Sequence, residues 1–157
     1  MSQIYYIQIL LFALIIFANV SFAQMKLHDN YAGLSVSSEI DNEVMSFNMN
    51  YEHELIKTGR NLIGIGASVK HLNWGSTLSG NVFVSGQVNY NFANIGDREL
   101  VPFVGVMFGT NINYKKKYYI GQAGLRYFTE KNLTMIMKYG IGNRSYVVAE
   151  VGVEYRF

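Results

Sequence analysis

From Tyr31 onward the chain alternates apolar and polar residues in short runs, and polar turn clusters separate the runs. A period of two marks a strand with one oily face and one polar face. The final stretch is the plainest case. Val151, Val153, Tyr155 and Phe157 fall on one face; Glu150, Gly152, Glu154 and Arg156 fall on the other. The same pattern predicts eight strands, at 31–39, 44–55, 61–72, 80–92, 100–111, 118–128, 133–141 and 146–157. Between them lie turns at 40–43, 57–60, 94–98, 129–132 and 142–145, and loops at 73–79 and 112–117. Strands in series joined only by hairpins form an antiparallel up-and-down meander. An even number returns both ends to one side. Eight strands close a barrel just wide enough to be filled by its own side chains, so an open pore is not expected.

Periodicity does not say which face is outside; content does. One set of positions carries Asn48, Asn50, Glu52, Lys70, Gln87, Asn89, Arg126, Lys138, Glu150, Glu154 and Arg156, together with most of the strand glycines. The other carries large apolar residues on nearly every strand, such as Met49, Ile65, Val88 and Val106. A narrow interior needs small residues, and charges need each other, so the polar set points inward and the oily band faces lipid. Charged residues make up only 15% of the chain, against about 25% in typical soluble domains. Aromatics at strand ends predict two interfacial girdles. Tyr51, Tyr90, Phe92, Tyr127, Tyr155 and Phe157 lie on the side of the termini; Trp74, Phe108, Tyr119, Tyr139 and Tyr146 lie on the other. The fold class expected is therefore all-β, an eight-stranded transmembrane β-barrel. A soluble lipocalin-like carrier, with the polarity reversed, is the rival; the Gly-x-Trp opening of such carriers is missing.

Ahead of the strands, the run from Ile4 to Val20 is nearly all apolar, and Ser21 and Ala23 follow it as a small-x-small pair. That reads as a secretory signal peptide, residues 1–23, cut between Ala23 and Gln24, with residues 24–157 as the barrel domain. The stretch before the run lacks Lys and Arg. An uncleaved anchor, or a start at Met25, are the other readings.

The enclosed charges should pair. Glu52, Lys70, Arg126, Lys138, Glu150, Glu154 and Arg156 form the expected lumen network, a structural plug rather than an ion path. A last hairpin pivoting near Arg144 sets Lys138 opposite Glu150. A first turn centred between Asp41 and Asn42 sets Tyr31 opposite Glu52, and closure brings Arg156 to that end. Chemistry is sparse otherwise. His28, His53 and His71 are scattered too widely for a metal site. His71, with Ser76 and Ser79 nearby, lacks a nucleophile motif. No enzyme and no cofactor are expected, the alternative being a lipid A-modifying enzyme. With no cysteine, disulfides and thiol chemistry are excluded. A net charge of +2 gives no nucleic-acid signal. Lys115, Lys116 and Lys117 form a basic loop that suits lipopolysaccharide phosphates or an anionic partner, or simply solvent.

These features resemble the small bacterial outer-membrane β-barrels, OmpA/OmpX-like in size and strand count. The specific part is C-terminal. Glu150, Gly152, Tyr155 and Phe157 match the family's closing pattern of polar, any, Gly, any, any, aromatic, any, aromatic. The resemblance implies recognition of these four residues by the barrel-assembly machinery. It also implies residence in the outer membrane among lipid and lipopolysaccharide, termini in the periplasm, and a monomer with a structural or surface-interaction role.

Overall fold

The computed structural model describes residues 25–39, 44–74, 81–93, 99–113, 115–129, 132–143 and 147–157. The expected leader and its expected Ala23–Gln24 junction lie outside these residues. So do the turns at 40–43 and 94–98, Ser76, Ser79, Arg144 and Tyr146.

Eight strands form one closed sheet: β1 (Asn30–Glu39), β2 (Val44–Thr58), β3 (Asn61–Trp74), β4 (Val82–Asn91), β5 (Leu100–Asn111), β6 (Lys117–Phe128), β7 (Leu133–Gly142) and β8 (Val147–Arg156). Each pairs antiparallel with the next, and β8 closes on β1. The fold is thus the all-β up-and-down barrel that the alternation predicts. Its register agrees too: Tyr31 faces Glu52, Lys138 faces Glu150, and Tyr31 faces Arg156 across the closing seam.

Strands β2 and β3 run furthest past their expected ends, each for the same reason. Strand β2 runs on to Thr58 rather than stopping near Leu55, because Leu55 is an extra residue between the Glu54–Gly64 and Ile56–Ile63 pairs. Strand β3 runs on to Trp74, because Asn73 is extra between the Ser46–Leu72 and Met45–Trp74 pairs. An inserted residue breaks the period of two without ending the pairing. The β2–β3 hairpin is tight, with Thr58 paired to Asn61 across Gly59 and Arg60. Gly59 has φ of 64°; a glycine with positive φ at the first loop position alone is the type II′ pattern that suits a twisted hairpin.

The wall has inverted polarity. Leu34, Met49, Ile65, Val88, Val106, Ile141 and Val153 point outward and are exposed, Met49 to 64%. Asn48, Asn50, Glu52, Gln87, Asn89, Arg126, Thr134, Lys138 and Glu154 point inward and are buried. Exposed aromatics stand at both ends of the belt. Tyr51, Tyr155 and Phe157 lie on the side of the termini, and Phe108, Tyr119 and Tyr139 lie on the side of the loops.

Candidate functional site: the charged lumen and its cavity

The terminus half of the lumen is built around Arg126 on β6. The alternation on β6 puts Gln122, Gly124, Arg126 and Phe128 on the inner face, so this guanidinium has nowhere to go but the barrel axis. Its side chain is wholly buried. It donates fork to fork onto Glu52 of β2, Nη2 to Oε2 at 2.5 Å and Nη1 to Oε1 at 3.2 Å. Its Nε donates to Glu154 of β8 at 2.9 Å, and Nη1 donates to Asn91 Oδ1 at 2.8 Å. Glu54 lies 4.0 Å away. The two flat faces of the cation are covered by Tyr31 and Phe103, with ring centroids at 5.2 and 5.0 Å. Charge-assisted, bidentate bonds and ring stacking are what a planar cation gains over a point charge.

The carboxylates are held in turn. Glu52 accepts from Gln87, Asn89 and Asn91; Glu154 accepts from Asn50 at 2.6 Å. Gln122 donates to Asn89 Oδ1 at 2.7 Å. Six strands therefore contribute to one ionic layer across the lumen. Facing glycines make room for it. A Cβ at Gly64 would run into the Glu52 carboxylate, one at Gly105 into the Asn89 amide, and one at Gly124 into the Phe103 ring.

Beneath this layer an apolar plug closes the terminus end. Met25, Tyr31, Leu62, Val101 and Phe128 are buried together. The segment before β1 is tied across the mouth by His28 N–H to Glu54 O at 2.9 Å and Glu54 N–H to Asp29 O at 3.0 Å. Arg156 stays at this rim, 3.6 Å from Asp29 and over the Phe128 ring, apart from the Arg126 layer.

The loop half is built differently. Lys138 Nζ lies 2.6 Å from Glu150 Oε1, which also accepts from Ser35 Oγ at 2.6 Å. Lys70 pairs with Glu39 at 3.0 Å. Here the expectation of a side-chain-filled lumen needs correction. A cavity of about 530 Å³ opens between Lys70, Lys138, Phe83, Tyr118 and the rim residues Lys116 and Lys117. The filling fails here because the inner residues at this level lie back along the wall in pairs, whereas Arg126 spans the axis. The Arg126 layer and the apolar plug still close the other half, so the cavity is blind.

Among the residues expected in the lumen network, the structure brings Glu52, Arg126 and Glu154 into one cluster and Lys138 and Glu150 into another. Lys70 joins the second region through Glu39. Sequence reasoning missed Glu39, Glu54, Asn91, Tyr31 and Phe103 as partners. The signal for both glutamates was present: Glu39 and Glu54 fall on the inner face by the same period of two. Of the residues that match the expected assembly pattern, Glu150 and Gly152 face the interior. Tyr155 and Phe157 face out with stacked rings, centroids 6.5 Å apart. Phe157 is zipped to β1 by Phe157 N–H to Asn30 O at 3.0 Å and Asn30 N–H to Phe157 O at 3.2 Å.

The histidines are less scattered than expected. His28 and His53 stack, with centroids 5.8 Å apart, because the segment before β1 folds back over the end of β2. His53 Nδ1 lies 2.9 Å from Asn30 Oδ1. His71 sits on the outer wall between Phe47 and Val82. Among the described residues no three metal-ligating side chains gather.

No protein-family model and no curated protein matches the chain. Solved structures do. A de novo designed transmembrane β-barrel aligns at a TM-score of 0.67, with 16% identity over 85% of this chain and 99% of that one. The fold is that of a transmembrane barrel. The solution structure of the designed barrel TMB2.3 aligns at 0.56, with 15% identity over 83% of this chain and 94% of that one. The attachment invasion locus protein Ail of Yersinia pestis aligns at 0.46, with 14% identity over 84% of this chain and all of the Ail chain.

Proposed function

We propose that the chain is an integral outer-membrane protein. It crosses the bilayer as a monomeric barrel, sealed across its terminus half, and serves a structural or surface-contact role without catalysis. The observation that carries this reading is the polarity of the wall. Residues such as Leu34 and Met49 are more than 60% exposed, while Arg126, Glu52 and Glu154 are almost wholly buried. In water that arrangement exposes the oil and hides the charge. In a bilayer every strand pairs its backbone in a closed ring and gives its apolar face to lipid.

The C-terminal residues support insertion by the barrel-assembly machinery: Tyr155 and Phe157 present two stacked rings on the outer face of the closing strand. The exposed lysines Lys115, Lys116 and Lys117 support contact with lipopolysaccharide phosphates at the loop end. Among the described residues, the strand neighbours of His71 are Phe47 and Val82, which offer it no acid, base or nucleophile for a lipid A-modifying reaction.

Cell fractionation tests the proposal. The protein is expected in the outer-membrane pellet after a carbonate wash, and to run faster on a gel unboiled than boiled. Recovery in the soluble periplasmic fraction contradicts it.

A further inference from the structure

The cavity in the loop half has a polar wall and an apolar wall. Lys70, Lys116, Lys117, Lys138, Asn48 and Glu150 line the first. Phe83, Met107, Tyr118, Ile120 and Val148 line the second. Four ammonium groups thus stand against two carboxylates, Glu150 in the lining and Glu39 paired with Lys70, and the net charge around the cavity is positive. At about 530 Å³ it falls within the size range of small-molecule sites, roughly 300–1,000 Å³.

A second observation points to a ligand. Asn48 is only 4% exposed and lines the cavity, yet neither its amide nitrogen nor its amide oxygen has a hydrogen-bond partner among the described residues. Elsewhere in this lumen Asn89, Asn91 and Gln122 each bond a neighbour, and Asn50 bonds Glu154 through its nitrogen while its oxygen stays open; Asn48 has both amide atoms open. Buried polar groups without partners are uncommon, and each calls for a reason.

We propose that this cavity binds a small soluble organic anion, a phosphate monoester carrying a compact apolar body. The phosphate sits between the lysines and takes the Asn48 Nδ2–H, and the Asn48 carbonyl accepts from the hydroxyl of the singly protonated phosphate. The apolar body lies against Phe83, Ile120 and Val148. The strand wall separates the cavity from lipid, so the ligand enters from water. The exposed Lys116, Lys117 and Asn143 mark the way in. The Arg126 layer closes the floor, so the site holds its ligand rather than conducting it.

The test uses the full barrel in lipid nanodiscs, titrated with phenyl phosphate by calorimetry, with phenol and phenyltrimethylammonium as neutral and cationic comparisons. Saturable one-to-one binding is expected, with both comparisons about tenfold weaker or worse, a difference of one decade in Kd. Changing Lys116 and Lys117 together to Gln should weaken phenyl phosphate by about tenfold, one decade in Kd. Lys115→Gln, on an exposed lysine that does not line the cavity, should leave it unchanged. Val148→Trp should abolish binding by filling the space. If that variant loses the unboiled gel shift, Asn48→Asp replaces it, nearly the same in size but adding a negative charge, and should also abolish binding. Phenyl phosphate binding no tighter than phenol overturns the proposal. So does a loss on Lys115→Gln equal to that at the rim pair, or binding that survives both Val148→Trp and Asn48→Asp.

Discussion

Arg126 and Glu52 meet fork to fork on the barrel axis, both wholly buried, with Nη2 of one 2.5 Å from Oε2 of the other. One side chain comes from β6 and the other from β2, so the bond ties opposite walls of the barrel together. Glu154 and Asn91 complete the layer from β8 and β4.

Arg126→Met is expected to be the most damaging single change in the lumen. It leaves Glu52, Glu54 and Glu154 close together without their cation. Removing one partner of a buried ion pair costs about 3–5 kcal/mol. Arg126→Lys should recover only part of the loss, because an ammonium cannot reproduce the fork or lie flat between Tyr31 and Phe103. Urea unfolding of the refolded barrel in detergent, followed by the gel shift, measures both. Equal stability of wild type and Arg126→Met would contradict the assignment of this layer.

Lys138 and Glu150 form the simpler pair, at 2.6 Å on facing positions of β7 and β8. Lys138→Met alone should destabilise by leaving Glu150 buried beside Ser35. Adding Glu150→Met should recover much of that loss, since an apolar pair needs no counter-charge. The four proteins of this double-mutant cycle give the coupling directly. A double variant no more stable than Lys138→Met would show that the contact contributes nothing.

The proposed assembly role of Phe157 and Tyr155 can be separated from any role in stability. Phe157→Ala keeps the backbone bonds between residue 157 and Asn30, so the purified variant should refold in vitro with nearly wild-type stability. In cells the folded fraction should fall several-fold, with unfolded precursor accumulating. Parallel measurement of the cellular gel shift and the in vitro unfolding midpoint distinguishes the two. A folded fraction unchanged in cells would remove these residues from the assembly signal.

The fold was largely legible because its signal is periodic. Alternation located all eight strands, and counting from the turn centres placed Lys138 against Glu150 and Tyr31 against Glu52. The errors fell where one residue breaks the period. Leu55 and Asn73 are bulged, and a rule that tracks alternation ends the strand there. The lumen was legible only by face. That Arg126 and Glu154 point inward follows from their parity. That Arg126 lies between Tyr31 and Phe103 does not, because it depends on the barrel's stagger. The cavity was invisible in the sequence, since it arises from side chains lying along the wall at one level and across the axis at another. His28 and His53 looked distant because the return of the segment before β1 across the mouth is a tertiary contact between Asp29 and Glu54.

The central claim is that the apolar face of all eight strands meets lipid, and one measurement reaches it most directly. With Trp74 replaced by Phe, a single tryptophan is placed in turn at Leu34, Met49, Val106 and Val153, and the barrel is refolded into bilayers of lipids brominated on their acyl chains. Strong quenching is expected at all four positions, on the closing seam (β8, β1 and β2) and on the opposite wall (β5). Tryptophans that stay unquenched, on a protein that remains soluble without lipid, would contradict it.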